Sequence, residues 1–185
     1  LFFTACVSTK QSNYTFNHKK SAADLKADVG LLKKILEVNH PSLYWYTPKD
    51  SMDVYFANAI NQISDSLTEV QFKNTVAAVI SKIRCGHTSV RFSEDYTKQQ
   101  KEHRFPQFPL YLKVWDDSLV VLLNVNAKDS ILKRGTIITS INGKTNRELL
   151  DKMFDVINSD GYSINFKNQL ISNNFPGWYQ NIFGL

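Results

Sequence analysis

Cys85 and His87 stand two positions apart in KIRCGHTSVRF (82–92). A thiol beside an imidazole is the pairing of a nucleophile with its base, or of two ligands at a zinc corner. On a strand the two side chains would share a face, but they would then point in parallel, whereas a working base must aim its nitrogen at the sulfur and be oriented by a third group. None is identifiable in the sequence. As a zinc site the pair supplies two ligands, and no second Cys/His cluster completes four. The expectation is therefore a structural corner at Cys85, Gly86, His87 and Thr88, with His87 hydrogen-bonded at the turn and Thr88 satisfying backbone groups.

Three other stretches imitate catalytic motifs. SILK (130–133) has the Ser-x-x-Lys spacing of penicillin-recognising enzymes, in which one helical turn brings lysine to serine. Here it falls in a predicted loop, and the partner motifs are missing. GKT (143–145) ends like a phosphate loop, but Ile138 stands where the first glycine is required. GYSIN (161–165) lacks the second glycine of a nucleophile elbow.

The elements that must position these residues divide into two groups. Ser21 with Asp24 three residues later predicts a capped helix whose apolar face is Leu25, Val29, Leu32 and Leu36, ended by Asn39, His40 and Pro41. Asp50 or Ser51 caps a second helix with the stripe Phe56, Ile60, Ile63 and Leu67. Thr68 and Gln71 open a third, with Phe72, Val76, Val79, Ile80 and Ile83 inward. Three amphipathic helices on short connections predict a small bundle over 21–84.

Beyond Arg84 the period turns strand-like. SVRF alternates, FPLYLKVW and SLVVLLNV flank the turn Asp116-Asp117, and GTIITSING is a third strand closed by Asn-Gly. NRELLDKMFDVIN reads as a helix with Leu149, Leu150, Met153, Phe154 and Ile157 inward. Asp160-Gly161 then turns the chain into a last strand, YSINFKNQL. The fold class expected is α+β, with 85–104 as linker.

The 185 residues are 43% hydrophobic and 21% charged, with a formal net charge of +5. That balance describes a globular chain. Its lysines are scattered among acids, without the arginine stripe or aromatic platform of a nucleic-acid binder, so no nucleic-acid partner is expected. No stretch of about 20 apolar residues offers a transmembrane helix.

The first residues, LFFTAC, resemble the end of a bacterial lipoprotein signal, with Thr4 and Ala5 before the acceptor Cys6. A lipid on Cys6 would hold the protein at a bilayer, with residues 1–20 as signal remnant and tether, in the cell envelope or periplasm. The alternative for Cys6 is a disulfide with Cys85.

The order of elements after residue 104 matches a permuted PDZ-like module over 105–172. HPSLYWYT (40–47), LTEVQF (67–72), CGHTSV (85–90), FPLYL (108–112), ILKRGTIITSING (131–143) and INSDGYS (157–163) follow one another in an order that resembles the C-terminal processing peptidases, or tail-specific proteases. The resemblance implies a helical segment ending in a His-Thr motif, a PDZ-like β-barrel or sandwich with one packed helix, and a catalytic domain after it. No stretch here corresponds to the family's serine nucleophile and lysine base. The expectation is the substrate-handling front of an exported serine peptidase, with no catalytic residue of its own and no metal or cofactor. Its partners would be a protein or peptide substrate and the missing catalytic domain, towards which residues 173–185 would lead and which Trp178 and Tyr179 would contact. The rival is a stand-alone, lipid-anchored PDZ-like peptide binder; a third reading is an enzyme built on Cys85.

A PDZ groove takes a peptide as an added strand beside its helix. The residues for it here are Phe108, Leu110 and Leu112 from the strand and Leu150 and Phe154 from the helix, with ordinary core packing as the alternative. Pro106 and Pro109 have no N–H to offer a terminal carboxylate. Tyr44, Trp45 and Tyr46 are either a binding patch or plugs for the bundle.

Overall fold

A computed structural model describes residues 14–103 and 105–184. The candidate lipidation site Cys6 lies outside them.

The helical half follows the apolar spacing. Helix α1 (Ala22–Asn39) is capped by Ser21, whose hydroxyl accepts from Asp24 N–H, and buries Leu25, Val29 and Leu36. Helix α2 (Lys49–Gln62) starts a residue or two before the expected caps, because Pro48 already holds the extended backbone that precedes a first turn. It stops at Gln62, so Leu67 belongs not to its stripe but to a two-residue strand, β2 (Leu67–Thr68), paired with β1 (Lys19–Lys20). Helix α3 (Glu69–Ile80) carries the full reciprocal capping box of Thr68 and Gln71. A 3-10 turn (Ser81–Ile83) ends it, and Arg84 leaves in the left-handed region at φ 59°. Leu25, Val29, Leu43, Met52, Phe56, Ile63, Val76 and Ile83 share one core.

SVRF is not a strand. Residues 88–93 find no strand-pairing partner among the described residues, and Ser93 instead caps an unexpected helix, α4 (Glu94–Glu102). Its sequence, EDYTKQQKE, buries Tyr96 alone, so it carried no apolar stripe by which to be read.

The second half begins with a hairpin, β3 (Leu110–Trp115) and β4 (Ser118–Asn124), joined through Asp116 at φ 51°. A positive φ at the first loop residue suits a two-residue hairpin turn. The predicted third strand is divided: β5 (Ile137–Ile138) pairs with β4, while β6 (Ser140–Ile141) pairs with β7 (Lys144–Thr145). Asn142 and Gly143, at φ 49° and 77°, form the β6–β7 turn. Helix α5 (Asn146–Val156) follows, with Thr145 and Glu148 as its capping box.

The last strand is absent. YSINFKNQL enters helix α6 (Ile164–Asn173), and α7 (Phe175–Phe183) follows, capped by Asn174. Tyr162, Ile164 and Phe166 alternate as a strand would, yet they are 72%, 49% and 43% exposed, so that alternation lies on the surface. Residues 173–185 are likewise more than a connection. Phe175 and Tyr179 are buried with Phe108, Leu112, Leu149, Met153 and Ile171 in a second core, and Trp178 packs against it. The fold is α+β, seven helices with small antiparallel sheets and no closed barrel among the described residues.

Because Phe175 is fully buried among aromatic and aliphatic neighbours, Phe175→Ala should cost about 3–5 kcal/mol in urea unfolding. Trp45→Ala, at an exposed site, should change the midpoint little.

Candidate functional site

The two cores meet where the opening motif lies. Chain reversal at Arg84 brings Cys85 to Thr88 into a tight turn, in which Thr88 N–H donates to the Cys85 carbonyl at 3.1 Å. Asn158, two residues past α5, clamps this turn. Its Nδ2 donates to the carbonyls of Thr88 at 2.6 Å, Gly86 at 3.1 Å and Cys85 at 3.2 Å. Asp160 accepts from Gly86 N–H at 2.6 Å, and Gly161 N–H donates to the Arg84 carbonyl. A Cβ at Gly86 would stand 3.1 Å from the Asp160 carboxylate, so the close approach suits a glycine. Gly161 sits at φ 56° against the Tyr46 ring, which a side chain would reach only with strain.

The imidazole that takes part is His40, not His87. Ser42 N–H donates to His40 Nδ1, which leaves Nε2 of the neutral ring to carry the proton and donate to Thr88 Oγ1 at 2.8 Å. His87 is exposed and makes no hydrogen bond among the described residues. The expected roles are thus corrected. The Thr88 hydroxyl accepts from the His40 side chain while the Thr88 carbonyl is held by Asn158, and His87, exposed on the turn, lines the same cavity as Cys85 and His40 without a hydrogen bond among the described residues. Cys85 is a half-buried free thiol. No group of three His, Cys, Asp or Glu residues among those described can hold a metal.

The groove candidates form core instead. Phe108, Leu110, Leu112 and Leu150 are buried, and Phe154 packs half-buried against them. Helices α6 and α7 cover this face of β3. Phe108 packs at 4.4 Å, centroid to centroid, on Tyr179 with the rings tilted by 33°, and Val114 N–H on the outer edge of β3 donates to Ser172 Oγ at 2.9 Å. An added peptide strand would have to displace both contacts. Trp45 and Tyr46 do not plug the bundle, as Leu43 fills that position; they stay exposed, with Tyr46 edge-on to Tyr162 and Arg84 stacked over the Tyr162 ring at 4.0 Å.

The three imitations also resolve into local structure. Ser130 and Lys133 lie in the β4–β5 loop with no helical turn between them, GKT spans the β6–β7 turn, and GYSIN is the turn into α6. No known family, characterised protein or solved structure matches the chain.

One cavity was not anticipated. It lies between α1, α3 and residues 90–93, has a volume of about 420 Å³, and is walled mainly by Leu25, Leu32, Leu67, Phe72, Val76 and Val90. Glu69 in its wall accepts from Ser93 N–H at 2.6 Å, Ser93 Oγ at 2.8 Å and Tyr14 Oη at 2.9 Å. Burial first, and then this carboxylate, hold the Tyr14 phenol above its usual range. Lys73, one turn on from Glu69, lines the same cavity, and its ammonium has only the Phe92 ring, 4.8 Å away, as a partner among the described residues. Burial pushes the Lys73 amine below the usual lysine range. No spacing rule exposed this site, because Glu69 and Lys73 read as the solvated face of a capped helix.

Asn158→Ala should destabilise the protein by about 1–3 kcal/mol, since it strips partly buried carbonyls of their donor. Cys85→Ser should be tolerated; loss of a hydrolytic activity on that change, with stability kept, would overturn the structural reading. Lys73 is charged below its depressed folded pKa at a desolvation cost, so Lys73→Met should stabilise the protein near neutral pH. That gain should shrink as pH rises from the folded value towards the ordinary lysine range, because there the unfolded chain binds the extra proton. Unfolding curves at pH 7 and at alkaline pH check it.

Proposed function

We propose that this chain is the substrate-handling front of an exported serine-type tail-specific peptidase, a helical bundle joined to a PDZ-like module, whose parent enzyme hydrolyses peptide bonds with a serine and a lysine outside these residues. The observation that carries the reading is the convergence of stretches that, in sequence, only follow one another. HPSLYWYT, CGHTSV and INSDGYS, three of the pieces on which the resemblance rests, meet at one junction through His40 to Thr88, Asn158 to residues 85–88, Asp160 to Gly86, and Tyr46 beside Gly161. A shared junction gives one reason for these residues to occur together.

The β3–β4 hairpin, the broken strand ending in the Asn142-Gly143 turn and the amphipathic α5 support the PDZ-like reading of the second half. In this reading Cys6 carries the lipid and the protein works at the bacterial envelope. The rival is a stand-alone lipid-anchored peptide binder without a catalytic domain; in either reading α6 and α7 occupy the strand edge and apolar face at β3 and must move for a peptide to be added there.

The native gene product, recovered from its source membranes, tests the proposal by intact mass and by digestion of an unfolded protein substrate. A product longer than 185 residues, lipidated at Cys6, whose hydrolysis is abolished by replacing a serine or a lysine beyond Leu185, is the expected result. A lipidated product ending at Leu185 without hydrolytic activity would overturn it in favour of the binding module.

A further inference from the structure

The cavity beside α3 combines two properties that define a ligand. Its volume of about 420 Å³ falls within the range of small-molecule sites, roughly 300–1,000 Å³. Its polar groups, moreover, are used up unevenly. Both oxygens of Glu69 accept from Ser93 or Tyr14, and the Thr68 hydroxyl is tied into the α3 cap. Lys73 alone presents a cation to the apolar interior with no carboxylate beside it among the described residues. Lys20 and Arg91 add positive charge at the exposed rim, against Asp28.

A ligand for this site needs an anionic head and a body without hydrogen-bonding groups. The wall inside the rim is hydrocarbon from Leu25, Leu32, Phe72 and Val76, so each N–H or C=O group of an extended peptide that reached it without pairing to the backbone of residues 90–92 would cost about 1–3 kcal/mol. We propose that the cavity binds a medium-chain fatty acid, with its carboxylate on the Lys73 ammonium and its chain against Leu25, Leu32, Phe72 and Val76.

Calorimetric titration of the full chain with decanoate and with decan-1-ol tests the assignment. The acid is expected to bind more tightly than the alcohol. Lys73→Met should weaken decanoate about ten- to a hundredfold, the loss of one charge-assisted hydrogen bond, while leaving the alcohol within about twofold. Leu32→Trp, which fills the cavity from its rim, should abolish binding of both while circular dichroism and the unfolding midpoint show an intact fold. Absence of decanoate binding at millimolar concentration, or equal binding by wild type and Lys73→Met, overturns the proposal. Tighter binding of an acetylated peptide with an apolar tail and free carboxylate than of decanoate overturns it in favour of a peptide terminus.

Discussion

One carboxamide, that of Asn158, ties the molecule's two hydrophobic cores together. Its Nδ2 has two protons and faces three carbonyls, so the short bond to Thr88 takes one proton and the longer contacts to Gly86 and Cys85 share the other. The turn it holds follows the last residues of the bundle, and Asn158 itself follows α5 of the second core. Ser81 Oγ donates to the Asp155 carbonyl at 2.6 Å, and Asn74 Nδ2 donates to the Asn181 carbonyl at 2.7 Å, so the same boundary is hydrogen-bonded on either side of the clamp. Each of these bonds satisfies a backbone carbonyl that would otherwise be left at a packed junction.

The strand β3 poses a related problem. As the edge of its sheet it has a row of donors without ladder partners, and one of them, Val114 N–H, is met by a hydroxyl from α6. Ser172 in turn donates to the Asn168 carbonyl one helical turn back, so its hydroxyl both accepts and donates. Covering the edge in this way lets Phe175 and Tyr179 close the core. The same covering removes the surface on which a peptide strand would be added, so recognition of a peptide at β3 requires α6 and α7 to move.

The cavity beside α3 follows the opposite logic. Glu69 is fully satisfied and holds Ser93 and Tyr14 around it, whereas among the described residues Lys73 has only the Phe92 ring beside its ammonium. Such a cation weakens the fold near neutral pH, and a site that tolerates this cost on its own account has a physical reason to do so if an anion relieves it. Stability and ligand affinity then pull on the same side chain in opposite directions.

Much of the helical half was legible in the sequence, because its caps and stripes are local: Ser21 with Asp24, Thr68 with Gln71, and the apolar positions of α1 and α3 need only their own turn. The β3–β4 hairpin and α5 were legible for the same reason. Three features depended on residues far apart in the chain. The Tyr162, Ile164, Phe166 alternation has the period of a strand, but what decides a segment's conformation is which face is buried, and here Ile171, Phe175 and Tyr179 supply the buried face as helices. The partners of the corner at Cys85, His40 and Asn158, lie 45 residues before it and 73 after. The cavity required α1, α3 and the segment 90–93 to be packed before it existed. Local backbone preference and periodicity were thus decided by the sequence on its own; which polar groups meet, and which cation is left without an anion, were decided only by the tertiary structure, because those are properties of distance in space.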